Sequence, residues 1–246
     1  MEKDMQILRE MTNEQLAVLV EIMLDKGWIT EMLSADSNFR TCHKTKNYRP
    51  CVELIASEIR KFGGNSFINF FRGEGPSYKE IACDVCEELD VKVSSTDSME
   101  QIDLALLEKV LAKVLDRMDD DRVRDLLSSL KIRITTGSNF KAEALAAMIL
   151  AFRAGGFASY ELAMIIVNSV AKTILGRGLS LAANATINKA LGIATGPVGI
   201  ALTAMWTAVD ITGPAYRVTI PIVIYLAAMR QVHRNAFAVE DQGEAV

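Results

Sequence analysis

Apolar side chains recur at helical spacing along most of the chain. The clearest case is Ile102, Leu106, Val110, Val114 and Met118, which follow one another at four-residue steps. Positions spaced in this way lie on one face of an α-helix, and an apolar face of this kind packs against other elements. The pattern predicts a long helix with a broad buried face.

Several helix starts are marked by residues that satisfy free backbone N–H groups. Thr12 is followed three residues later by Gln15, and Ser77 by Glu80, which is the spacing of a capping box. Pro50 suits the first turn of a helix because its ring fixes φ near the helical value. We therefore predict helices that begin near each of these positions.

The remaining segments complete a helical picture. Residues 34–50 are polar and are predicted to form a loop, whereas residues 139–153 and 160–175 have the pattern of helices. Residues 131–135 (KIRIT) alternate as a strand does, but the segment is short and has no evident partner strand. We predict an all-α, multi-helix fold with a charged N-terminal half and a C-terminal apolar helical hairpin rich in Gly and Ala.

The distribution of charge divides the chain near residue 154. Residues 154–229 carry six charged side chains, whereas the 153 residues before them carry 47. A segment so poor in charge avoids water over much of its surface, as the core of a large domain or as a segment that enters a membrane. We divide the chain into a short helical module (1–33), a charged helical region (50–153) and an apolar helical region (154–235).

Two uncharged runs in the apolar region, residues 190–209 and 218–229, predict the hairpin. A helix needs about 20 apolar residues to span a membrane, so the first run is long enough only if nothing breaks it. If Pro197 instead opens a helix, the helix is about 21 Å long. The two alternatives are a hairpin buried in a soluble domain and one that inserts conditionally. Its predicted turns are Gly196, Pro197, Gly213 and Pro214.

Asp210 and Arg217 are isolated charges on either side of the second predicted turn. A charge in apolar surroundings is paired, exposed or extended to the surface. A turn between the two would bring them together. They then form either an ion pair that fixes the hairpin or a polar latch, which holds the hairpin closed until a membrane or another trigger releases it.

The overall charge argues against a nucleic-acid-binding protein, because the formal net charge is −4 and no basic block is present. The N-terminal sequence MEKDMQILREM is charged and lacks the apolar core of a secretory signal, so we expect a cytoplasmic chain. The cysteines are then expected to be thiols rather than disulfides. As an alternative, Cys42, Cys51, Cys83 and Cys86 would supply zinc ligands. Because the last two fall within a predicted helix, we predict no metal and no other cofactor.

Two basic residues beside glycine-rich turns, Lys61 and Arg72, are candidates for contact with an anion such as a lipid headgroup. The sequence after Arg72 lacks the ending of a P-loop, so a joint between two helices is the alternative. His43 and His233 are the only histidines, and no Ser–His–Asp, HExxH or GxSxG pattern accompanies them. We therefore predict that the protein is not an enzyme.

Two blocks of sequence carry a resemblance to a known family. They are FGGNSFINFFRGEGPSYKEIACDVCEELDVKV (62–93) and GPVGIALTAMWTAVDITGPAYRVTIPIVIYLAAMR (196–230). These blocks resemble the YaaW-like family of uncharacterised bacterial proteins, which is distantly grouped with ubiquinol–cytochrome c chaperones. The N-terminal 30 or so residues resemble the short module that precedes the main domain of the family. The chain departs from the family pattern mainly around residues 120–160.

These observations predict a non-enzymatic cytoplasmic protein that is peripheral to the inner membrane or inserts into it conditionally through residues 190–229. Membrane lipid is the expected partner, with a protein client or a second copy of the chain as alternatives, and nucleic acid is not expected. The alternative function, which the resemblance implies, is an assembly chaperone for a subunit of a membrane or respiratory complex. An enzyme of unknown reaction is the third possibility.

Overall fold

The fold is built from helices. The computed structural model describes residues 1–26, 36–62, 75–134, 139–179, 185–207 and 216–236, and these residues form eleven α-helices and no strand. The all-α prediction is therefore confirmed. The helices are α1 (Ile7–Glu10), α2 (Asn13–Lys26), α3 (Ser37–Thr45), α4 (Val52–Phe62), α5 (Tyr78–Glu88), α6 (Met99–Asp116), α7 (Asp120–Ser129), α8 (Phe140–Ala154), α9 (Gly156–Leu175), α10 (Ala185–Thr207) and α11 (Tyr216–Asn235). Short 3-10 turns cover Lys3–Met5 and Arg49–Cys51.

The predicted helix starts are confirmed by their hydrogen bonds. The Thr12 N–H donates to Gln15 Oε1 (2.8 Å), and the Gln15 N–H donates to Thr12 Oγ1 (3.2 Å). Ser77 and Glu80 form the same reciprocal pair at the start of α5. Pro50 lies in the 3-10 turn that leads into α4. These signals are predictable because the partners lie within one turn of each other.

The predicted loop over residues 34–50 is wrong, because residues 37–45 form α3. The Asp36 carboxylate accepts a hydrogen bond from the Phe39 N–H (2.8 Å) and so caps the helix. Phe39 and Cys42 supply its buried face. The polar composition is that of a surface helix with a narrow apolar stripe, and this stripe is enough to hold the helix on the bundle.

Cys42 and Cys51 form a disulfide, which corrects the expectation of four thiols. The chain reverses after α3 through Lys46, whose φ is +53°, and the N–H groups of Tyr48 and Arg49 donate to the Asn13 side chain. This tight return brings the two cysteine Cα atoms within 6.7 Å, a separation that a disulfide can bridge.

Gly196 and Pro197 do not form a turn, which corrects the prediction that they are one of the turns of the hairpin. They lie inside α10, which runs without interruption from Ala185 to Thr207 and is about 34 Å long at 1.5 Å per residue. A proline inside a helix removes one hydrogen bond and clashes with the preceding turn, and its ring also crowds the Cβ of the residue directly before it. Because Gly196 has no Cβ, the helix continues through the proline at a lower steric cost.

Helix α11 is the centre of the bundle. Every residue from Val218 to Met229 is buried, and α11 contacts α1, α2, α4, α5, α6, α9 and α10. The second uncharged run is therefore core in this structure, as the buried alternative for the hairpin requires. Its most extensive contacts are with α9, which in turn packs against α10. The division of the chain into three regions stays a prediction.

One described helix, α9, is long and apolar enough to cross a membrane, and 67% of its most apolar stretch is buried within the bundle. A core helix of a soluble protein has the same length and composition, so this finding alone does not indicate a membrane span.

Candidate functional site

An open groove runs between α9 and α10. It has a volume of about 520 Å³ and combines residues of both helices. Helix α9 contributes Ser169, Lys172 and Thr173, and α10 contributes Gly196, Gly199, Ile200, Thr203 and Ala204. The groove lies on the surface of the apolar region, directly outside the helices that enclose α11.

The floor of the groove is a face of α10 with small side chains. Gly196 and Ile200 line the groove one turn apart, and Gly192 lies one turn before Gly196 on the same exposed face. Ile200 keeps 59% of its accessible surface. A Cβ added at Gly192 or Gly196 would meet nothing within 4 Å, whereas one at Gly199 would lie 3.5 Å from Thr173 Oγ1. A Cβ at Gly199 would make only an ordinary contact with α9, whereas Gly192 and Gly196 leave backbone open to a ligand.

The wall formed by α9 requires no hydrogen bond from a ligand. The Ser169 hydroxyl donates to the Ile165 carbonyl (2.7 Å), and the Thr173 hydroxyl donates to the Ser169 carbonyl (2.8 Å). Because these donors are satisfied inside the helix, the wall presents mainly apolar surface. Lys172 is exposed at the rim and is therefore a positive charge beside an apolar surface. Such a groove suits an apolar helix better than a small polar substrate.

The buried end of α11 is held by an ion pair that the sequence analysis missed. Arg230 donates from Nε and Nη2 to the two carboxylate oxygens of Asp103, both at 2.7 Å, and from Nη1 to the Asp4 carbonyl. Its Nη2 also donates to the Tyr78 hydroxyl (3.1 Å). Burial raises the pKa of Tyr78 to about 12, although the charge of Arg230 opposes this shift. The signal in the sequence is that Arg230 directly ends the apolar run of α11.

A second polar cluster fixes the joint between α8 and α9. The Asn235 Oδ1 accepts a hydrogen bond from the Gly156 N–H (2.8 Å), and Gln231 Nε2 donates to Ser159 Oγ (2.6 Å). Gly155 has a φ of +77°, and a Cβ there would lie 2.8 Å from Asn235 Oδ1. The joint therefore requires glycine for both its backbone conformation and its close packing.

Glu161 was not identified as a site residue, although it is one of the few charges in the apolar region. It lies on α9 with 0% of its surface exposed, and neither carboxylate oxygen has a hydrogen-bond partner among the described residues. Burial raises its pKa to about 7, and the charge of Lys131 partly opposes that shift.

The predicted site residues are distributed as follows. Lys61 donates to Glu58 Oε1 (2.5 Å), so its charge is already partly neutralised. Arg217 is exposed at the start of α11. Four predicted site residues lie outside the described residues: Arg72, Asp210, Gly213 and Pro214. The polar latch and the anion contact at Lys61 and Arg72 therefore stay predictions.

The four cysteines do not form a ligand set. Cys42 and Cys51 are bonded to each other, and in the described part of the chain no group of three or more His, Cys, Asp or Glu side chains could hold a metal ion. The disulfide leaves Cys42 and Cys51 without the thiolates that the zinc alternative requires. Cys83 and Cys86 are free, and burial raises the pKa of both thiols, that of Cys86 to about 12.

Comparison with known proteins places this bundle in a family. The family model described as ubiquinol-cytochrome C chaperone matches residues 51–224. A UPF0174 protein of Helicobacter pylori strain J99 is 40% identical over 93% of this chain and 91% of its own length. The UPF0174 protein YaaW of Escherichia coli K12 is 29% identical over 94% of each chain. No solved structure matches. The chain therefore belongs to the ubiquinol-cytochrome C chaperone family and is similar to the UPF0174 proteins, as the resemblance of its two sequence blocks predicted.

Proposed function

We propose that this protein is a non-enzymatic assembly chaperone that receives an apolar helix of a membrane-complex subunit in the groove between α9 and α10. The observation that carries the proposal is the exposed face of α10 formed by Gly196 and Ile200, which line the groove, and by Gly192 one turn before them. An apolar helix docked there would pack closely against the backbone at the two glycines and cover the Ile200 side chain. The name of the matching family supports a chaperone role.

The chemistry of the groove supports a helix as the ligand. The α9 hydroxyls are satisfied internally, so a docked segment needs no polar side chain to pair with them. An α-helix satisfies its own backbone hydrogen bonds and presents only side chains. The client chemistry that fits is therefore the apolar helix of a membrane subunit before it reaches its complex.

A binding experiment tests the proposal. The probe is a fluorescent peptide of about 20 residues, built from Leu and Ala with lysine flanks so that it is as long as a membrane span. Its fluorescence anisotropy is titrated with the full chain and with Ile200→Asp. Because covering an Ile side chain is worth about 1.5–3 kcal/mol, the substitution should weaken binding by about tenfold to a hundredfold.

The matched control is Leu150→Asp. Leu150 is 69% exposed on α8 and does not line the groove, so it tests whether any exposed apolar side chain binds the peptide. The expected result is unchanged affinity. The proposal is contradicted if Ile200→Asp and Leu150→Asp lose the same amount of affinity for the peptide, or if the wild-type chain does not bind the peptide. A dimer of the free protein that Ile200→Asp dissociates would assign the groove to a second copy instead of a client.

Conditional membrane association through residues 190–229 is the second candidate. The uncharged part of the continuous α10, residues 190–207, supports it with about 27 Å of helix, which is close to the thickness of a hydrocarbon core of about 30 Å. Insertion of the whole hairpin would also require α11 to leave the centre of the bundle, where each large apolar side chain gains about 1.5–3 kcal/mol from burial. Flotation with lipid vesicles in the absence of any client separates this candidate from the chaperone. A cytoplasmic chain at the inner membrane face fits both.

A further inference from the structure

Glu161 is a buried ionisable group that does not line the groove. Helix α9 passes between other helices at this position, and the carboxyl group has neither exposed surface nor a hydrogen-bond partner among the described residues. A carboxylate without partners is unstable in such surroundings, whereas a protonated carboxyl group is tolerated far better. The packed position of α9 therefore favours the protonated form.

One cation lies close enough to respond to this group. Lys131 follows the end of α7 and places its Nζ 5.4 Å from the centroid of the Phe157 ring, one turn before Glu161 on α9. Among the described residues, Lys131 is the only charged group that contributes to the pKa shift of Glu161. Six charged side chains on the packed helices pair elsewhere: Glu14 with Arg177, Glu21 with Lys46, Arg153 with Glu108, Arg230 with Asp103, His233 with Glu10 and Arg234 with Glu100. The packed helices also carry Lys141, Glu143, Lys172 and Arg217, none of which contributes to the pKa shift of Glu161.

We propose that Glu161 is a proton switch in the bundle. When it is protonated, α9 packs as observed and Lys131 rests on the Phe157 ring. When the proton leaves, the carboxylate attracts Lys131 from that ring and requires water, so the packing of α9 loosens. Because α9 is one wall of the groove, the switch would also control access to the groove. This second part rests on the proposed function, whereas the switch itself does not.

The direction of the pH dependence follows from the burial of the acid. Its pKa in the folded protein is about 7, above the value of about 4.3 for an unperturbed Glu. Between these values the folded state holds more protons than the unfolded state, so stability falls as pH rises through this window. Stability is highest below the window, and the loss is complete once the pH exceeds the folded pKa.

Thermal unfolding of the full chain across this pH range tests the switch. The wild-type melting temperature should fall by several degrees as pH rises from about 5 to about 8. Glu161→Gln cannot ionise, so its melting temperature should fall less than that of the wild type over the same pH range. The control Glu87→Gln, at an exposed position on α5, should show the same fall as the wild type. Lys131→Gln removes the charge that lowers the pKa of Glu161, so the fall should move to higher pH.

The switch is overturned if the melting temperatures of the wild type and of Glu161→Gln depend on pH in the same way. If Glu161→Gln does not fold, Lys131→Gln decides alone. The proposal is then overturned if the pH at the middle of the fall in melting temperature is the same in Lys131→Gln as in the wild type.

The link to the groove is tested separately with the Leu–Ala peptide. The peptide should bind the wild type more tightly at about pH 8 than at about pH 6, and should bind Glu161→Gln equally at both. The lysine flanks do not titrate in this range. Binding without pH dependence in the wild type rejects only the link. Absence of binding at either pH rejects the proposed function and leaves the thermal result standing.

Discussion

The ion pair between Arg230 and Asp103 should be the most sensitive polar contact in the bundle. The perturbation is Asp103→Asn, which keeps the shape of the side chain and removes its charge. Asp103 is 1% exposed, and the Arg230 side chain is 14% exposed. The substitution leaves the guanidinium with no counter-charge and places an amide donor opposite one of its own donors.

The expected loss is large relative to the whole stability of a domain. Breaking a buried, hydrogen-bonded pair by removing one partner costs about 3–5 kcal/mol. A domain has about 5–15 kcal/mol of stability in total, so this change removes a substantial part of it. The double change Asp103→Leu with Arg230→Met should cost less than the sum of the single changes, because no orphaned charge remains.

Urea unfolding followed by far-UV circular dichroism measures the effect. The matched control is Asp121→Asn on α7, where the carboxylate is 94% exposed and pairs with Arg124 on the surface. Exposed pairs contribute far less than buried ones, so this control should scarcely move the urea midpoint. The reasoning is refuted if Asp103→Asn shifts the midpoint no more than Asp121→Asn does, at an unchanged slope.

Three further predictions use the same unfolding assay or a thiol assay. Gly155→Ala should cost more stability than Gly156→Ala, because both glycines have positive φ but only the first meets the Asn235 oxygen; equal losses would argue against the close packing. Ser98→Ala removes the capping box of α6 and should cost about 1 kcal/mol in the urea titration. In a Cys83→Ala variant at about pH 8, the native Cys86 thiol should resist Ellman's reagent until urea unfolds the chain, because burial raises its pKa to about 12; rapid native labelling of that variant would contradict the burial of Cys86.

Features that depend on neighbours in sequence were predictable. The caps at Thr12 and Ser77 join residues three positions apart, so their spacing is sufficient to identify them. The α6 pattern predicted a buried face because α6 has a solvent side and a core side. The cap at Asp36 is equally local, but the polar residues after it favoured a loop, so α3 was missed.

Features that depend on distant partners were not predictable. An uncharged run has the same sequence pattern whether it crosses a membrane or is enclosed by other helices. The contacts of α11 show that residues 218–229 belong to the core. The expected charge pair was placed at the start of α11, between Asp210 and Arg217. The buried pair that the structure describes lies at the other end, where Arg230 meets a residue that is 127 positions away. Sequence spacing carries no signal for such a partner.

The continuity of α10 shows how two local rules compete. Pro197 predicts a break because it removes a helix donor and clashes with the preceding turn. Gly196 weakens this rule, since the residue before the proline lacks a side chain, and packing against α9 supports the helix. The groove depends on that outcome, because a break at Gly196 would interrupt the continuous face that carries Ile200.

Hydrogen exchange measured by mass spectrometry on the full chain, with and without the Leu–Ala peptide, tests the central claim most directly. The account predicts that α11 is strongly protected in both samples and that the peptide slows exchange in residues 192–204 of α10 and at the end of α9. Loss of protection in α11 when peptide or vesicles are added would contradict it and favour an inserting hairpin. Unchanged exchange in α10 at saturating peptide would show that the groove is not the binding site.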